Sequence, residues 1–313
     1  MLNFLDENRM SGKNPLPRHR PKTSFSDSIK IMQRRTFLAL PSLLLIECIA
    51  LGLPLRVAAA EPASASGARQ AAMPNAGELI NESGRLRYLA ERMGKAYAQQ
   101  ALKILPGKAV EQIAQSQQRY KDALQFLGNG ARTPGLKSGL VAVTEIYGRY
   151  SAALGKPANA GNVAAAHRIT DELVAAADKL TTAFQLQANI QTAKIVNLSG
   201  RQRMLSQRMA RLYFGALLSN TKADLDQVRQ QFKSAMTTLE TAPLSSGAIK
   251  RELALARNQW LFLEQALNGG SAPNTAARDV ATTSERLLET MDNLTGMYSQ
   301  ALKAVLGVSG GVV

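Results

Sequence analysis

The apolar positions between residues 76 and 306 recur at spacings of three and four, the period of an amphipathic helix. The breaks between these stretches carry loop residues, as in Pro106-Gly107 and Lys156-Pro157. No stretch shows the sustained two-residue alternation of a half-buried strand. The pattern therefore predicts an all-α protein. The predicted helices span 77–104, 109–127, 136–154, 160–190, 191–218, 222–241, 246–268 and 274–306.

One segment of the chain occurs twice. Residues Asn81–Tyr97 and Asn197–Tyr213 align without a gap and are identical at nine of 17 positions. Further matches follow in the same order, ending with stretches that begin at Asp178 and Asp292. The repeat predicts a duplication, folded as two tandem antiparallel four-helix bundles. The predicted division is a linker at 61–75, a first bundle at 76–190, a second bundle at 191–306 and a disordered tail at 307–313.

The junction between the two predicted bundles has no helix breaker. Neither Gly nor Pro occurs between Val163 and Ser199. We therefore expect one continuous helix of about 50 residues, spanning roughly 75 Å, which would stack the bundles end to end. The alternative is a hidden break within residues 187–191.

Composition agrees with helical packing, since hydrophobic residues make up 45% and aromatic residues 5% of the chain. The net charge is +15, of which +10 lies after residue 60. These charges are spread along helical faces without a dense basic run, which argues against nucleic acid as a partner. The pattern is typical of a basic solvated surface. A preference for anionic ligands or an anionic membrane surface is the alternative.

The first 60 residues resemble a basic extension followed by an export signal. Arg34-Arg35-Thr36-Phe37-Leu38 is similar to the twin-arginine motif, and an apolar stretch leads to an Ala-x-Ala end at Ala60. We expect cleavage near Ala60 and a periplasmic location, with an uncleaved membrane anchor as the alternative. Translation could begin at Met1 or at Met32. The single cysteine, Cys48, lies within this segment, so we expect no disulfide or thiolate metal site.

The repeated motif has two distinct faces. On a helix, Leu86, Leu89 and Met93 form one apolar stripe, while Gly84 and Arg87 lie on the opposite side. In the second copy the corresponding outward residues are Gly200, Arg203 and Gln207. A glycine inside an exposed helix costs about 1 kcal/mol, so it predicts a second helix packed against this face. An arginine in such a seam needs a negative partner. That partner is either a small planar oxyanion or carboxylates of the protein itself, unless the arginine reaches water.

The two motifs differ one turn beyond the arginine. Glu91 follows Arg87 by four residues and could neutralise it within the helix, whereas Gln207 offers amide donors to an anion. We therefore expect the second motif to be the better anion site. Arg92 and Arg208 are expected to brace neighbouring helices.

The residues that commonly carry catalysis or bind metals are scarce. His167 is the one histidine after residue 60 and receives no role. Glu172 and Glu285 lie at positions expected to be solvated. No catalytic triad, metal cluster or phosphate loop is present in the sequence, so we expect neither an enzyme nor a cofactor.

The motif that begins at Asn197 resembles the first helix of the PilJ/NarX-like sensor domain, and the one that begins at Asn81 resembles it more loosely. This domain stands at the N-terminus of pilus chemotaxis transducers and nitrate or nitrite sensor kinases. The resemblance implies a periplasmic four-helix bundle in which an arginine of each subunit holds nitrate at a dimer interface. By motif position that arginine resembles Arg203, and Arg87 in the first copy, with Gly200 and Gly84 beside the anion.

Two functions remain in competition. The first is an exported sensor or binding module for a small inorganic anion such as nitrate or nitrite. Because no kinase or methyl-accepting segment follows the bundles, it would act through a membrane-bound signalling protein or a transporter. The second is a ligand-free periplasmic scaffold near pili or the envelope, whose outward Gly/Arg faces would be the seams of a homodimer.

Overall fold

The computed structural model describes residues 74–269 and 272–309, which form helices without any strand. The all-α prediction is confirmed. The helices are α1 (Ala76–Ala101), α2 (Pro106–Gly130), α3 (Pro134–Leu154), α4 (Ala160–Ala188), α5 (Ala193–Leu218), α6 (Asp226–Thr241), α7 (Gly247–Leu267) and α8 (Pro273–Ser309). The last helix extends to Ser309, three residues past the predicted helix end at 306.

Several helix starts follow from short-range side-chain chemistry. At α1 the Asn75 side chain accepts from the Glu78 N–H at 3.0 Å, and the Glu78 carboxylate accepts from the Asn75 N–H at 3.1 Å. This reciprocal capping box satisfies two backbone donors that the first turn leaves free. Thr133 caps α3 directly before Pro134, which suits the first helical position because proline has no N–H to leave unbonded.

Helices α1 to α4 pack as a first bundle. Helix α1 lies against α2 and α4, and α3 completes the bundle against α4 and α2. The predicted core stripe of Leu86, Leu89 and Met93 is buried. Between α2 and α3 the rings of Tyr120 and Tyr147 stack with centroids 4.2 Å apart.

Helices α5 to α8 pack as a second bundle with the same connections. Helix α5 lies against α6 and α8, and α7 lies against α8 and α6. The rings of Phe232 and Trp260 stack between α6 and α7 with centroids 4.6 Å apart. They occupy the places that Tyr120 and Tyr147 take in the first bundle, which is the arrangement expected of a duplicated unit.

The expectation of one continuous helix at the junction is wrong, and the alternative break is present. Helix α4 ends at Ala188, Asn189 takes the left-handed conformation with φ 48°, and α5 begins at Ala193. Asparagine tolerates this conformation better than most residues, so it can end a helix without glycine. The Asn197 amide donates to Gln185 Oε1 at 2.7 Å and ties the two helices across the turn.

The turn places the two bundles side by side instead of end to end. Helix α1 lies along α5, α4 also contacts α5, and α8 contacts α1. Because four antiparallel helices and one short turn precede it, α5 runs in the same direction as α1. Among the described residues, no helix is long and apolar enough to cross a bilayer.

Candidate functional site

The outward faces of the two motifs meet each other in the seam between α1 and α5. Gly84 and Arg87 on α1 and Gly200 and Arg203 on α5 are all buried there. The prediction that a second helix packs on this face is confirmed. That helix belongs to the same chain, so the seam forms without a second subunit.

The two glycines make room for the two arginines. A Cβ atom added to Gly84 would lie 3.0 Å from Arg87 Nη2 and 3.4 Å from Arg203 Nη2. One added to Gly200 would lie 3.2 Å from Arg203 Nη2 and 3.4 Å from Arg87 Nη2. Both guanidinium groups therefore converge on one gap between the two glycines.

Each arginine has one acidic partner and one backbone partner. Arg87 Nη1 donates to Asp178 Oδ1 at 2.5 Å, and its Nη2 donates to the Asn197 carbonyl at 3.4 Å. Arg203 Nη1 donates to Asp292 Oδ1 at 2.5 Å, and its Nη2 donates to the Asn81 carbonyl at 3.1 Å. The acid comes from the same bundle and the carbonyl from the other bundle, so the two sets are related by an approximate two-fold axis.

Each aspartate also receives an arginine from the opposite bundle. Arg201 Nη2 lies 2.7 Å from Asp178 Oδ2, and Arg85 Nη1 lies 3.0 Å from Asp292 Oδ2. We call these two aspartates, together with Arg85, Arg87, Arg201 and Arg203, the arginine layer. It holds four cations and two anions, so positive charge is in excess.

Burial makes this excess consequential. Arg87 and Arg203 are fully buried, and the Nε atom of each is a buried donor without a hydrogen-bond partner. Burial lowers the pKa of Arg87 to about 10, although Asp178 opposes the shift, and burial also lowers the pKa of Arg203. Both groups remain charged at neutral pH. Two facing buried cations with spare donors suit an anion bound between them.

The next turn of the same helices carries a different arrangement. Contrary to the prediction, Glu91 does not neutralise Arg87, because the Glu91 side chain turns towards α5. It accepts from Arg208 Nε at 2.7 Å and from Arg211 Nε at 2.5 Å. Arg211 also pairs with Asp171 on α4. Burial would raise the pKa of Glu91, but Arg211 and Arg208 together hold it below its ordinary value.

In the second bundle the corresponding position is Gln207, which was predicted to offer amide donors to an anion. Its amide nitrogen donates to the Ser284 carbonyl at 2.8 Å, and its buried Oε1 has no partner. The acid of this half is Glu285, which lies 2.6 Å from Arg92 Nη2 and 2.5 Å from Lys95 Nζ.

Glu285 was expected to be solvated, and that expectation is also wrong. Burial alone would raise its pKa, but Lys95 and Arg92 hold the pKa of Glu285 at about 2. The expected bracing role of Arg92 and Arg208 is confirmed by their contacts with α8 and α1. The second group of contacts is called the glutamate layer below. It comprises Glu91, Asp171, Arg208 and Arg211, together with Gln207, Glu285, Arg92 and Lys95.

Several residues of the seam were missed by the sequence analysis. Asp178 and Asp292 stand at the start of matching Asp-x-Leu-Thr stretches, so the repeat itself carried a signal for them. Lys95 and Glu285 carried none, because nothing in a sequence shows which acid faces a buried lysine.

Outside the seam, His167 lies against the backbone of α1. His167 Nε2 lies 3.1 Å from the Gly94 carbonyl, and burial, helped by nearby Arg211, lowers the pKa of His167 to about 4. Within the described part of the chain, no group of His, Cys, Asp or Glu is placed to hold a metal ion.

Comparison with known protein families gives one match. Residues 184–285 match the family described as "Type IV pili methyl-accepting chemotaxis transducer N-term", known as PilJ. The match covers about a third of the chain, including Gly200, Arg203 and Gln207. It supports the resemblance to PilJ-like proteins and a role as a sensor or signalling module. No curated protein and no solved structure matches the chain.

Proposed function

We propose that this protein is a periplasmic sensor or binding module that holds a small planar oxyanion between Arg87 and Arg203 and acts through a partner protein. One observation carries the proposal. Two buried arginines from two bundles converge on a gap flanked by Gly84 and Gly200, and each keeps a buried Nε donor without an acceptor.

The chemistry of the gap favours a small, flat ligand. A guanidinium fork matches the geometry of planar oxyanions and can donate two parallel hydrogen bonds. The gap is buried, and even a methyl group on either glycine would lie within 3.4 Å of both arginine ends, which disfavours a large or strongly hydrated anion. Nitrate and nitrite fit these limits, and the resemblance to nitrate sensors points the same way.

An anion would have to share the arginines with Asp178 and Asp292. Its donors would be the free Nε and the loosely bonded Nη2 of each arginine, the latter at 3.4 Å and 3.1 Å from backbone carbonyls. If a carboxylate were displaced, it would still be paired, Asp178 with Arg201 and Asp292 with Arg85. Binding would therefore leave no unpaired buried charge.

The periplasmic location and the partner rest on the sequence. The export-like segment falls within residues 1–60, which lie outside the described residues. The matched family is described as a transducer domain, so we propose a membrane-bound signalling protein or a transporter as the partner. The tandem bundles at 76–190 and 191–306 would together supply one composite site.

A ligand-free scaffold is the second candidate, and one observation favours it. Both seam arginines already form close ion pairs with aspartates, so the arginine layer could serve only to join the two bundles. In that case the protein would respond to partner proteins and not to anions.

Thermal unfolding separates the two candidates. The purified protein is melted in nitrate, nitrite, chloride and sulfate at equal ionic strength. We expect a saturable rise in Tm for nitrate or nitrite, equivalent to about 2.7 kcal/mol at one hundred times Kd. If all four salts shift Tm alike, the scaffold is favoured and the anion proposal fails.

A matched pair of glycine variants locates the effect. Gly200→Ala places a methyl group against both arginine ends and should abolish the nitrate response. Gly296→Ala on α8 meets nothing within 4 Å and should leave the response intact. Both changes raise helix propensity by a similar amount, so a difference between them reports on the gap.

A further inference from the structure

A groove of about 570 Å³ opens at the outer side of the seam, between α1 and α2 of the first bundle and α8 of the second. It shares Arg85 and Asp292 with the arginine layer, but Gly84, Gly200, Arg87 and Arg203 do not line it. Its volume lies in the range of sites that bind small organic molecules. Its lining combines an apolar wall, three side-chain amides, Lys108 at the start of α2, four arginines and three acids.

The apolar wall consists of Leu89, Leu105 and Leu288, with the ring of Tyr88 beside them. An inorganic anion gains nothing from such a surface. The wall therefore favours a ligand with hydrocarbon groups, whose transfer from water would contribute to binding.

Two of the three amides, those of Gln99 and Gln112, have unused acceptors, while the third, Gln115, donates to Glu111. The Gln99 side chain is 1% exposed, and its Oε1 is a buried acceptor without a hydrogen-bond partner. The Oε1 of Gln112 is also buried without a partner. Buried acceptors are nearly always satisfied in native proteins, so two in one groove call for a ligand with N–H donors.

The positive end lies where α2 begins. Leu105 precedes the helix in a left-handed conformation with φ 47°, and no side chain caps the first turn. The first N–H groups of a helix attract anions, and the exposed Lys108 lies at the same place. A second left-handed residue, Lys103 with φ 56°, stands two positions earlier. Such unfavourable backbone conformations concentrate at ligand sites.

The acids that line the groove leave this positive end intact. Asp292 is held by Arg85 and Arg203, and Glu285 is held by Arg92 and Lys95. Glu289 on α8 is exposed and forms no ion pair among the described residues. It could receive the ammonium group of a zwitterion.

From these features we propose that the groove binds a short peptide of two or three residues with apolar side chains. The carboxylate would lie at the start of α2 beside Lys108, the peptide N–H groups would donate to Gln99 and Gln112, and the side chains would pack on the three leucines. The ligand would contact both bundles, because α8 forms one side of the groove.

Isothermal titration of the protein with the tripeptide Ala-Leu-Ala tests the proposal. We expect saturable binding, and binding about tenfold or more weaker for the same peptide with an amidated C-terminus, because a charge-assisted contact is lost. Lys108→Ala should weaken binding of the free acid by a similar factor. Lys121→Ala, an exposed lysine of α2 outside the groove, is the matched control and should bind as the wild type does.

Gln99→Leu tests the amide contact. The change removes an unsatisfied buried acceptor, so the variant should fold at least as stably as the wild type while binding the peptide more weakly. The proposal is overturned if Ala-Leu-Ala shows no binding at millimolar concentration, or if Lys108→Ala and Gln99→Leu bind as tightly as Lys121→Ala. Should Gln99→Leu fail to fold, Lys108→Ala decides alone, since its side chain is exposed.

The proposed peptide site and the proposed anion site can be tested independently with two variants. Gly200→Ala should lose the nitrate response and keep peptide binding, whereas Lys108→Ala should lose peptide binding and keep the nitrate response. Loss of both activities in either variant would contradict the assignment of two distinct sites.

Discussion

The arginine layer and the glutamate layer lie one helical turn apart on the same two helices, yet they differ in symmetry. In the arginine layer the contact of Arg87 with Asp178 has its counterpart in that of Arg203 with Asp292. In the glutamate layer the buried acid of α1, Glu91, has a neutral residue, Gln207, as its counterpart in the repeat on α5.

The use of donors differs as well. In the glutamate layer the cations of each bundle bind an acid of the other bundle, as Arg211 binds Glu91 and Lys95 binds Glu285. The arginine layer keeps two buried Nε atoms without acceptors. Both layers join the bundles, but the spare buried guanidinium donors lie in the arginine layer, where the proposed anion would bind.

The largest effect is expected from Glu91→Ala. The change removes the buried partner of Arg208 and Arg211, and Arg211 keeps only the exposed Asp171. Removing one member of a buried ion pair costs about 3–5 kcal/mol. Urea unfolding followed by circular dichroism measures the loss. Gln207→Ala is the matched control and should cost about 1 kcal/mol, because it removes one neutral hydrogen bond. If both variants lose the same free energy of unfolding, Glu91 and Gln207 contribute equally to stability, and the expected difference between them is contradicted.

A smaller and equal effect is expected from Arg87→Ala and Arg203→Ala. Each leaves an aspartate that keeps a second arginine, so each should cost about 1–3 kcal/mol instead of the full loss of a buried pair. Arg201→Ala, whose side chain is 44% exposed, should cost at most about 1 kcal/mol. The free energies of unfolding are measured with urea. If Arg87→Ala and Arg203→Ala lower them by different amounts, the two arginines do not contribute equally to stability despite the approximate two-fold arrangement.

The smallest effect is a pH dependence that belongs to the glutamate layer. The pKa of Glu285 is held at about 2 against an ordinary value of 4.5, so the folded state favours its charged form. Its contribution to stability is fully present above about pH 4.5 and is lost as the pH falls towards 2. We expect the stability difference between the wild type and Glu285→Gln to narrow over this range.

Urea midpoints of the two proteins, measured in steps from about pH 6 to about pH 2.5, check this prediction. The pKa of His167 is lowered in the folded protein, so protonation of His167 in acid also reduces the free energy of unfolding. Both proteins contain His167, so this contribution cancels in the difference between them. A difference that stays constant with pH would contradict the role given to Glu285.

Much of the seam could be predicted from local spacing. The positions of Gly84 and Arg87 opposite a core stripe were enough to predict a second helix, since side-chain direction on a helix follows from sequence. The turn at Asn189 could not be predicted with the same certainty, because left-handed asparagine is a local choice that carries no Gly or Pro signal. That one residue decides between a rod and two bundles side by side.

The helices, the repeat and the direction of Arg87 and Arg203 away from their own cores all follow from the order of residues along the chain. Which acid each cation meets depends on how the helices pack in three dimensions. Arg87 and Asp178 are 91 residues apart, and Lys95 and Glu285 are 190 residues apart. Helical periodicity fixes the face of one helix, whereas the partner across a seam depends on how whole helices pack.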